Sequence, residues 1–174
     1  AGQNASLDAS FAFLAEAALS QPQAFVHRDF HSRNLLVSAG NDPGILDFQD
    51  AVIGPVTYDV VSLLRDCYIR WPRKQTEAWA AEYYRRALEY RILSGVSLRA
   101  FYRWFDLMGV QRHLKASGIF ARLWHRDGKP GYLHDIPRTL AHMADVSVRY
   151  PELESLHRLL VEKVIPAINE RYAR

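Results

Sequence analysis

The chain has 174 residues, of which 49% are hydrophobic and 24% charged, an ordinary globular composition that excludes a disordered or fibrous protein. No uncharged apolar run approaches the ~20 residues of a membrane span. The first ten residues lack the basic and apolar regions of a signal peptide. The single cysteine, Cys67, excludes an internal disulfide and suits a reducing compartment, so we expect a cytoplasmic protein without a membrane partner.

The net charge of +3 is unevenly distributed along the chain. Residues 1–70 hold four basic and eight acidic side chains, whereas residues 71–174 hold eighteen basic and eleven acidic ones. The basic side chains alternate with acidic ones along predicted helices, which is typical of solvated faces. We therefore expect no nucleic-acid partner, while the basic second part would suit an anionic or neutral small ligand.

Periodicity predicts an α+β, mostly helical chain whose few strands lie in the first 50 residues. The predicted strands are 24–27, 34–38 and 44–48, the last two forming a hairpin with its turn over 39–42. The predicted helices are 7–19, 58–71, 75–93, 97–115, 117–126, 135–149 and 152–171. Thr57 is the predicted N-cap of the second helix and Pro72 its end.

The segment 27–34, with the sequence HRDFHSRN, matches the pattern H-R-D-x-x-x-x-N, which a metal-binding aspartate follows on the next strand. If Asn34 lies opposite Asp47 in the hairpin, their Cβ atoms are about 4.5–5.5 Å apart. An amide oxygen and a carboxylate at that separation can share Mg²⁺, which prefers oxygen ligands. Asp29, at the end of the preceding loop, is placed to accept a proton from a substrate hydroxyl.

The stretch VHRDFHSRNLLV, followed by GILDFQDAVIGPVTYDVVSLL, resembles the aminoglycoside phosphotransferase family, small-molecule kinases of the protein-kinase-like fold. The segments LLRDCYIRWP, LMGVQRHLKASGIFARLWHRDGK and GYLHDIP resemble the bacterial kinases that phosphorylate the anomeric hydroxyl of N-acetylmuramate or N-acetylglucosamine in cell-wall recycling. The resemblance runs from about Phe25 to Pro137. It implies ATP and Mg²⁺ as cofactors and an amino sugar as the small-molecule substrate.

The resemblance also implies roles for individual residues. Asp29 is the expected catalytic base, and Asn34 and Asp47 are the expected Mg²⁺ ligands. Asp59 is expected to brace the catalytic loop, although an acidic residue in the first turn of a helix has a plainer explanation. His27 and Arg28 are expected to support the loop structurally. His31 and Asp50 in the motif segments are further candidates for contact with the substrate, and the locally basic stretches 112–115 and 122–129 add Arg112, His113, Arg122 and His125. Each of these six residues also has a plainer interpretation as a loop, surface or core-edge residue.

Kinases of this fold hold ATP with an N-terminal lobe that carries a phosphate-covering loop, a strand lysine and a helix glutamate. The chain contains neither GxGxxG nor GxxxxGK[ST], and its first lysine, Lys74, follows the predicted metal-binding strand. We therefore interpret residues 1–174 as a C-terminal catalytic lobe whose missing partner is the N-terminal lobe of the same enzyme. We expect the chain alone to be inactive.

Several alternatives remain open at the level of sequence. A kinase of the same family could act on an aminoglycoside, choline or another small alcohol, although a basic second part suits a polycation poorly. The chain could also be a non-catalytic binding module on a kinase-like scaffold. A metal-dependent hydrolase built on the alternating residues His27, Asp29 and His31 is a further possibility. A protein kinase is disfavoured, because too few residues separate Asp47 from Asp59 for an activation segment.

Overall fold

A computed structural model describes residues 2–37, 39–40 and 43–172 of the chain. The helices are α1 (Gly2–Leu19), α2 (Tyr58–Leu64), α3 (Arg73–Glu89), α4 (Leu98–Asp127), α5 (Ile136–Ser147), α6 (Glu154–Leu159) and α7 (Ile165–Tyr172). The strands are β1 (Gln23–Val26), β2 (Leu35–Leu36), β3 (Gly44–Ile45) and β4 (Val52–Pro55), paired as β1 with β4 and β2 with β3, both antiparallel. The predicted class, α+β and mostly helical, is confirmed.

The chain forms two compact units. The first, which we call the mixed unit, comprises residues 18–108 and contains the strands together with α2 and α3. The second, which we call the helical unit, comprises residues 1–17 and 109–174. The motif segment 27–34 therefore belongs to the mixed unit.

The core of the mixed unit is aromatic at its centre. Phe101 is fully buried, and its ring centroid lies 6.4 Å from that of Phe105, 6.0 Å from Tyr83 and 5.4 Å from Tyr84. The buried side chains of this core are Val56, Val60, Val61, Ala80, Ala87, Leu93, Phe101, Phe105 and Met108. Because α2 supplies Val60 and Val61, burial fixes the helix that follows the motif segments.

Strand β4 was not predicted, although the pair Val52-Ile53 before Gly54-Pro55 is a strand signal. It pairs with β1 so that Val26 lies opposite Val52 and Gln23 lies opposite Pro55. The chain that leaves β1 and the chain that enters β4 are therefore at the same end of this sheet. Segment 27–34 and the residues just before 52 meet there.

The predicted helix over 58–71 is wrong in its second half, because α2 ends at Leu64. The Asp66 carboxylate accepts a hydrogen bond from the backbone N–H of Tyr68 at 2.9 Å, a local turn that competes with the helix. Thr57 does stand at the N-cap position, but its hydroxyl accepts no hydrogen bond from the first turn of α2 and instead donates to Oε1 of Gln21 at 2.6 Å.

The helical unit also departs from the predicted helix boundaries. The helices predicted over 97–115 and 117–126 are one helix, α4, in which the Ser117 hydroxyl shares a hydrogen bond of 2.6 Å with that of Thr139 on α5. The helix predicted over 152–171 is interrupted between α6 and α7 by a π-helical segment, Leu160–Val164, which ends two residues before Pro166. Proline has no amide hydrogen to donate within a helix, which accounts for an interruption there.

Candidate active site

The shared end of the β1–β4 sheet brings the two motif segments into contact. Nη1 of Arg28 lies 3.4 Å from the backbone carbonyl oxygen of Asp50, to which it donates. The Arg28 backbone has a φ of 77°, in the left-handed region that few residues other than glycine occupy. This contact involves the Asp50 carbonyl, and the Asp50 side chain itself is exposed.

Asp59, in the first turn of α2, holds the start of the loop over residues 27–34. Its Oδ2 accepts the backbone N–H of His27 at 2.6 Å, and its Oδ1 accepts the backbone N–H of Arg28 at 3.1 Å. Hydrogen bonds to an ionised carboxylate are stronger than those between neutral groups. The carboxylate thus holds the backbone N–H groups of the two residues that precede Asp29, of which Arg28 has the left-handed backbone.

The middle of the loop is closed by Asn34 and the backbone of Asp29. Nδ2 of Asn34 donates to the Asp29 carbonyl oxygen at 3.0 Å, and the backbone N–H of His31 donates to the same oxygen at 3.0 Å. With its amide nitrogen used in this way, Asn34 has its amide oxygen available for a cation. Among the described residues, no side chain donates a hydrogen bond to the carboxylate of the half-buried Asp29, so both of its oxygens are open to a substrate hydroxyl.

Asp66 anchors the loop from a second side and was missed by sequence reasoning. Only 2% of its surface is exposed, and its Oδ2 accepts both the backbone N–H of Ser32 at 3.0 Å and the Ser32 hydroxyl at 2.6 Å. The available signal was an aspartate two residues after the apolar run of α2, since a carboxylate that is buried in such a place rarely lacks partners.

The predicted pairing of Asn34 with Asp47 is wrong by one residue. In the hairpin, Leu35 lies opposite Ile45 and Leu36 opposite Gly44, and the backbone N–H of Leu46 donates to the Asn34 carbonyl at 3.0 Å. Residues 38, 41 and 42 lie outside the described residues, so the predicted turn over 39–42 and the end of the strand over 34–38 are not compared. Asp47 follows the hairpin with a φ of 67°, a left-handed conformation that aspartate tolerates better than most residues.

The side chains of Asn34 and Asp47 carry oxygen atoms of the kind that a magnesium ion prefers. Asp47 is exposed, and one of its carboxylate oxygens accepts a hydrogen bond from Nε2 of Gln49 at 2.5 Å. In the described part of the chain, no three His, Cys, Asp or Glu side chains form a metal-binding group. Mg²⁺ commonly takes only one or two protein side chains, with waters and substrate phosphates as its other ligands.

The alternating residues His27, Asp29 and His31, which could have indicated a metal-dependent hydrolase, also form no metal-binding group among the described residues. His27 is only 5% exposed, and its ring lies edge-on to Phe30 at a centroid distance of 5.8 Å. His31 is half-buried with its ring edge-on to Tyr68, also at 5.8 Å. Both histidine rings therefore pack against aromatic neighbours.

The four basic residues predicted to contact substrate all lie on α4 within the helical unit. His113 is only 3% exposed, and its ring stacks on His142 at a centroid distance of 4.7 Å. Arg112 is half-buried, while Arg122 and His125 are exposed. Their contact with a substrate stays a prediction.

Tyr83 packs against the core of the mixed unit, and the charge of Asp59 affects its pKa. Its hydroxyl donates to the Val56 carbonyl at 3.0 Å. Burial raises the pKa of the Tyr83 phenol above its ordinary value, and the negative charge of Asp59 raises it further. The phenol therefore stays protonated and keeps its hydrogen bond beneath α2.

The loop and the segment after β3 carry the features that phosphotransferases of the kinase-like fold share. Residues 3–105 match the model of the phosphotransferase enzyme family (APH). The chain belongs to this family. Its membership indicates a kinase-like fold for the region that holds the loop, as the sequence resemblance predicted.

Curated relatives of this phosphotransferase family member carry one name. The chain is 51% identical over 149 residues to the N-acetylmuramate/N-acetylglucosamine kinase of Pseudomonas putida, a match that covers 86% of this chain and 44% of that protein. Proteins of the same name from Neisseria meningitidis and Pseudomonas aeruginosa are 51% and 50% identical, each match covering 84% of this chain and 43% of theirs. The chain thus spans less than half the length of these relatives.

Proposed function

We propose that the chain is the catalytic lobe of a kinase that transfers a phosphoryl group from ATP to the anomeric hydroxyl of N-acetylmuramate or N-acetylglucosamine. The observation that carries the proposal is the loop around Asp29, which Asp59 binds before Asp29, at residues 27 and 28, and which Asp66 binds after it, at Ser32. Family membership and about 50% identity to kinases named for these two sugars support the substrate class.

In the proposed reaction, Asp29 accepts the proton of the sugar hydroxyl while the hydroxyl oxygen bonds to the γ-phosphorus of ATP, and the bond between that phosphorus and ADP breaks so that ADP leaves. The anomeric hydroxyl is more acidic than an ordinary sugar alcohol, so a carboxylate base suffices. Asn34 and Asp47 would hold Mg²⁺, which when bound offsets the negative charge of the phosphates. Asp59 and Asp66 act on the loop backbone and keep Asp29 in place, because phosphoryl transfer depends chiefly on positioning and charge stabilisation.

In this enzyme, ATP binds largely to an N-terminal lobe that lies outside the 174 residues of the chain. The match covers only 44% of the Pseudomonas putida kinase, which leaves ample chain for such a lobe. The test therefore uses two proteins: the 174-residue chain alone, and a joined enzyme in which the chain is fused to the part of that kinase which the match leaves uncovered. We expect turnover from the joined enzyme and little from the chain alone.

The substrate panel consists of N-acetylmuramate, N-acetylglucosamine, kanamycin and choline, with ATP and Mg²⁺, and phosphorus NMR locates the new phosphate. We expect an anomeric phosphate on the amino sugars. The Asp29→Asn joined enzyme should lose about 10²–10⁴-fold in kcat, the usual contribution of a general base. Phosphorylation of kanamycin or choline with the amino sugars untouched would reject the substrate assignment, and wild-type turnover by Asp29→Asn would reject the base.

A further inference from the structure

Arg33 is a loop residue to which the motif assigns no role. The central carbon of its guanidinium lies 3.4 Å from the centre of the Tyr68 ring. The residue is exposed, and no described carboxylate forms an ion pair with it. A guanidinium held over an aromatic face keeps its N–H donors directed outward in its own plane, where they match the two oxygens of a carboxylate.

The contacts on either side of Arg33 hold it in place. Ser32, directly before it, is bound twice by Asp66, and Asn34, directly after it, is bound to the Asp29 carbonyl. The Asp66 carboxylate also binds the backbone N–H of Tyr68, so one buried group positions both members of the stack. Such an arrangement lowers the conformational entropy that a flexible arginine would lose on binding an anion.

An apolar cavity of about 350 Å³ is lined by Ser32, Leu63, Leu64, Ile69, Trp71 and Trp79. Two lining residues, Ser32 and Ile69, are the chain neighbours of Arg33 and Tyr68. The rings of Trp71 and Trp79 meet edge to face at 5.3 Å. An apolar cavity of this size beside an oriented charged group is the usual make-up of a small-molecule site.

We propose that Arg33 binds the carboxylate of an acidic acceptor, the lactyl carboxylate of N-acetylmuramate, while the apolar cavity takes methyl and C–H surface of the same sugar. This inference rests on the proposed kinase function. It makes Arg33 the residue that favours N-acetylmuramate over N-acetylglucosamine, which has no carboxylate. The phosphates of ATP carry oxygens that Arg33 would bind in the same way. The KM for ATP therefore distinguishes binding of the nucleotide from binding of the sugar carboxylate.

The kinetic test uses the joined enzyme with Arg33→Met and Arg33→Lys. Because a charge-assisted pair is lost, Arg33→Met should lower kcat/KM for N-acetylmuramate about tenfold to a hundredfold. The value for N-acetylglucosamine and the KM for ATP should change less than about threefold. Arg33→Lys should restore part of the loss, since lysine keeps the charge without the planar pair of donors. Arg99→Met, which removes another exposed arginine of the mixed unit, is the matched control and should leave the sugar preference unchanged.

An equal loss with both sugars would assign Arg33 a purely structural role, and a change confined to the KM of ATP would assign it to the nucleotide; either result overturns the proposal. A binding measurement separates this inference from the proposed function. The chain alone is titrated with each sugar while tryptophan fluorescence is followed, and we expect N-acetylmuramate to bind more tightly in a manner that Arg33→Met abolishes. That result without turnover by the joined enzyme would reject the kinase function and keep the carboxylate site. Equal binding of both sugars, or of neither, would reject the site.

Discussion

Ser32 donates both its backbone N–H and its hydroxyl hydrogen to a single carboxylate oxygen of Asp66, at 3.0 and 2.6 Å. The second Asp66 oxygen accepts the N–H of Tyr68. A carboxylate that is 98% buried is stable only when its oxygens are satisfied in this way. The catalytic loop is therefore attached to the segment after α2 as well as to α2 itself.

Removing the Asp66 carboxylate should destabilise the chain severely. In Asp66→Ala three donors lose their acceptor, so we expect the free energy of unfolding to fall by about 3 kcal/mol, against about 1 kcal/mol for Ser32→Ala. Urea unfolding of both single variants and of the double variant measures the coupling. Additive effects of the two substitutions would show that the hydrogen bond from the Ser32 hydroxyl to Asp66 contributes nothing to stability.

Asp59→Asn should impair catalysis more than it impairs folding. An asparagine offers one acceptor oxygen and turns an NH₂ group toward one of the two amides of His27 and Arg28, so the loop shifts. A misplacement of about 1 Å costs on the order of 10²-fold in rate. We expect that loss in kcat for the joined enzyme. Asp8→Asn, an exposed carboxylate on α1, is the control, and equal kcat in the two variants would contradict the bracing role.

The metal role of Asp47 is best tested with asparagine, because asparagine tolerates the left-handed backbone that alanine would strain. Asp47→Asn in the joined enzyme should fold normally but need a much higher Mg²⁺ concentration for half-maximal turnover. Asp47→Gly relaxes the same backbone and should behave alike or worse. Rates at saturating and limiting Mg²⁺ check this, and an unchanged Mg²⁺ requirement would remove Asp47 from the metal site.

The stability of the chain should fall in alkaline solution partly because of Tyr83. Its pKa in the folded state is raised by burial and by Asp59, so the folded chain retains a proton that the unfolded chain loses above about pH 10. The contribution is complete below that pH and is lost as the pH rises through the folded pKa. Urea unfolding between pH 8 and 11 should show a steeper decline for the wild type than for Tyr83→Phe. Parallel declines would contradict the shift.

The local features of the fold were predictable and the tertiary ones were not. The strand near 24–27 and the order of the motif residues follow from the sequence, and the family resemblance that these residues carry is confirmed. The hairpin register differs from the predicted one by one residue. The strand predicted over 44–48 ends at Ile45, before the left-handed Asp47, and alternation of apolar and polar residues gives no sign of such a backbone. The residues 65–71 continue the helical pattern in sequence, yet the Asp66 side chain binds Ser32 and Tyr68 instead.

Within the site, too, local features could be predicted from the sequence and long-range contacts could not. The contact of Asp59 with the loop could be predicted only from the family resemblance, because an aspartate in the first turn is common in any helix. Asp66 and the Arg33–Tyr68 stack depend on contacts more than 30 residues apart in sequence, which no local spacing reveals. The helices predicted over 97–115 and 117–126 imply a break at residue 116, yet α4 is unbroken there and the next residue, Ser117, contacts Thr139.

The left-handed backbone at Arg28 has a consequence for how the loop can change during evolution. At a φ of 77°, a residue with a Cβ atom costs roughly 1–2 kcal/mol that glycine does not. Glycine at position 28 would relieve this cost while giving up the contact with the Asp50 carbonyl, whereas a β-branched residue would keep the cost and lose the contact. Glycine is therefore the substitution for Arg28 that the backbone at this position accepts best. Both backbone N–H groups that Asp59 binds would be retained in it.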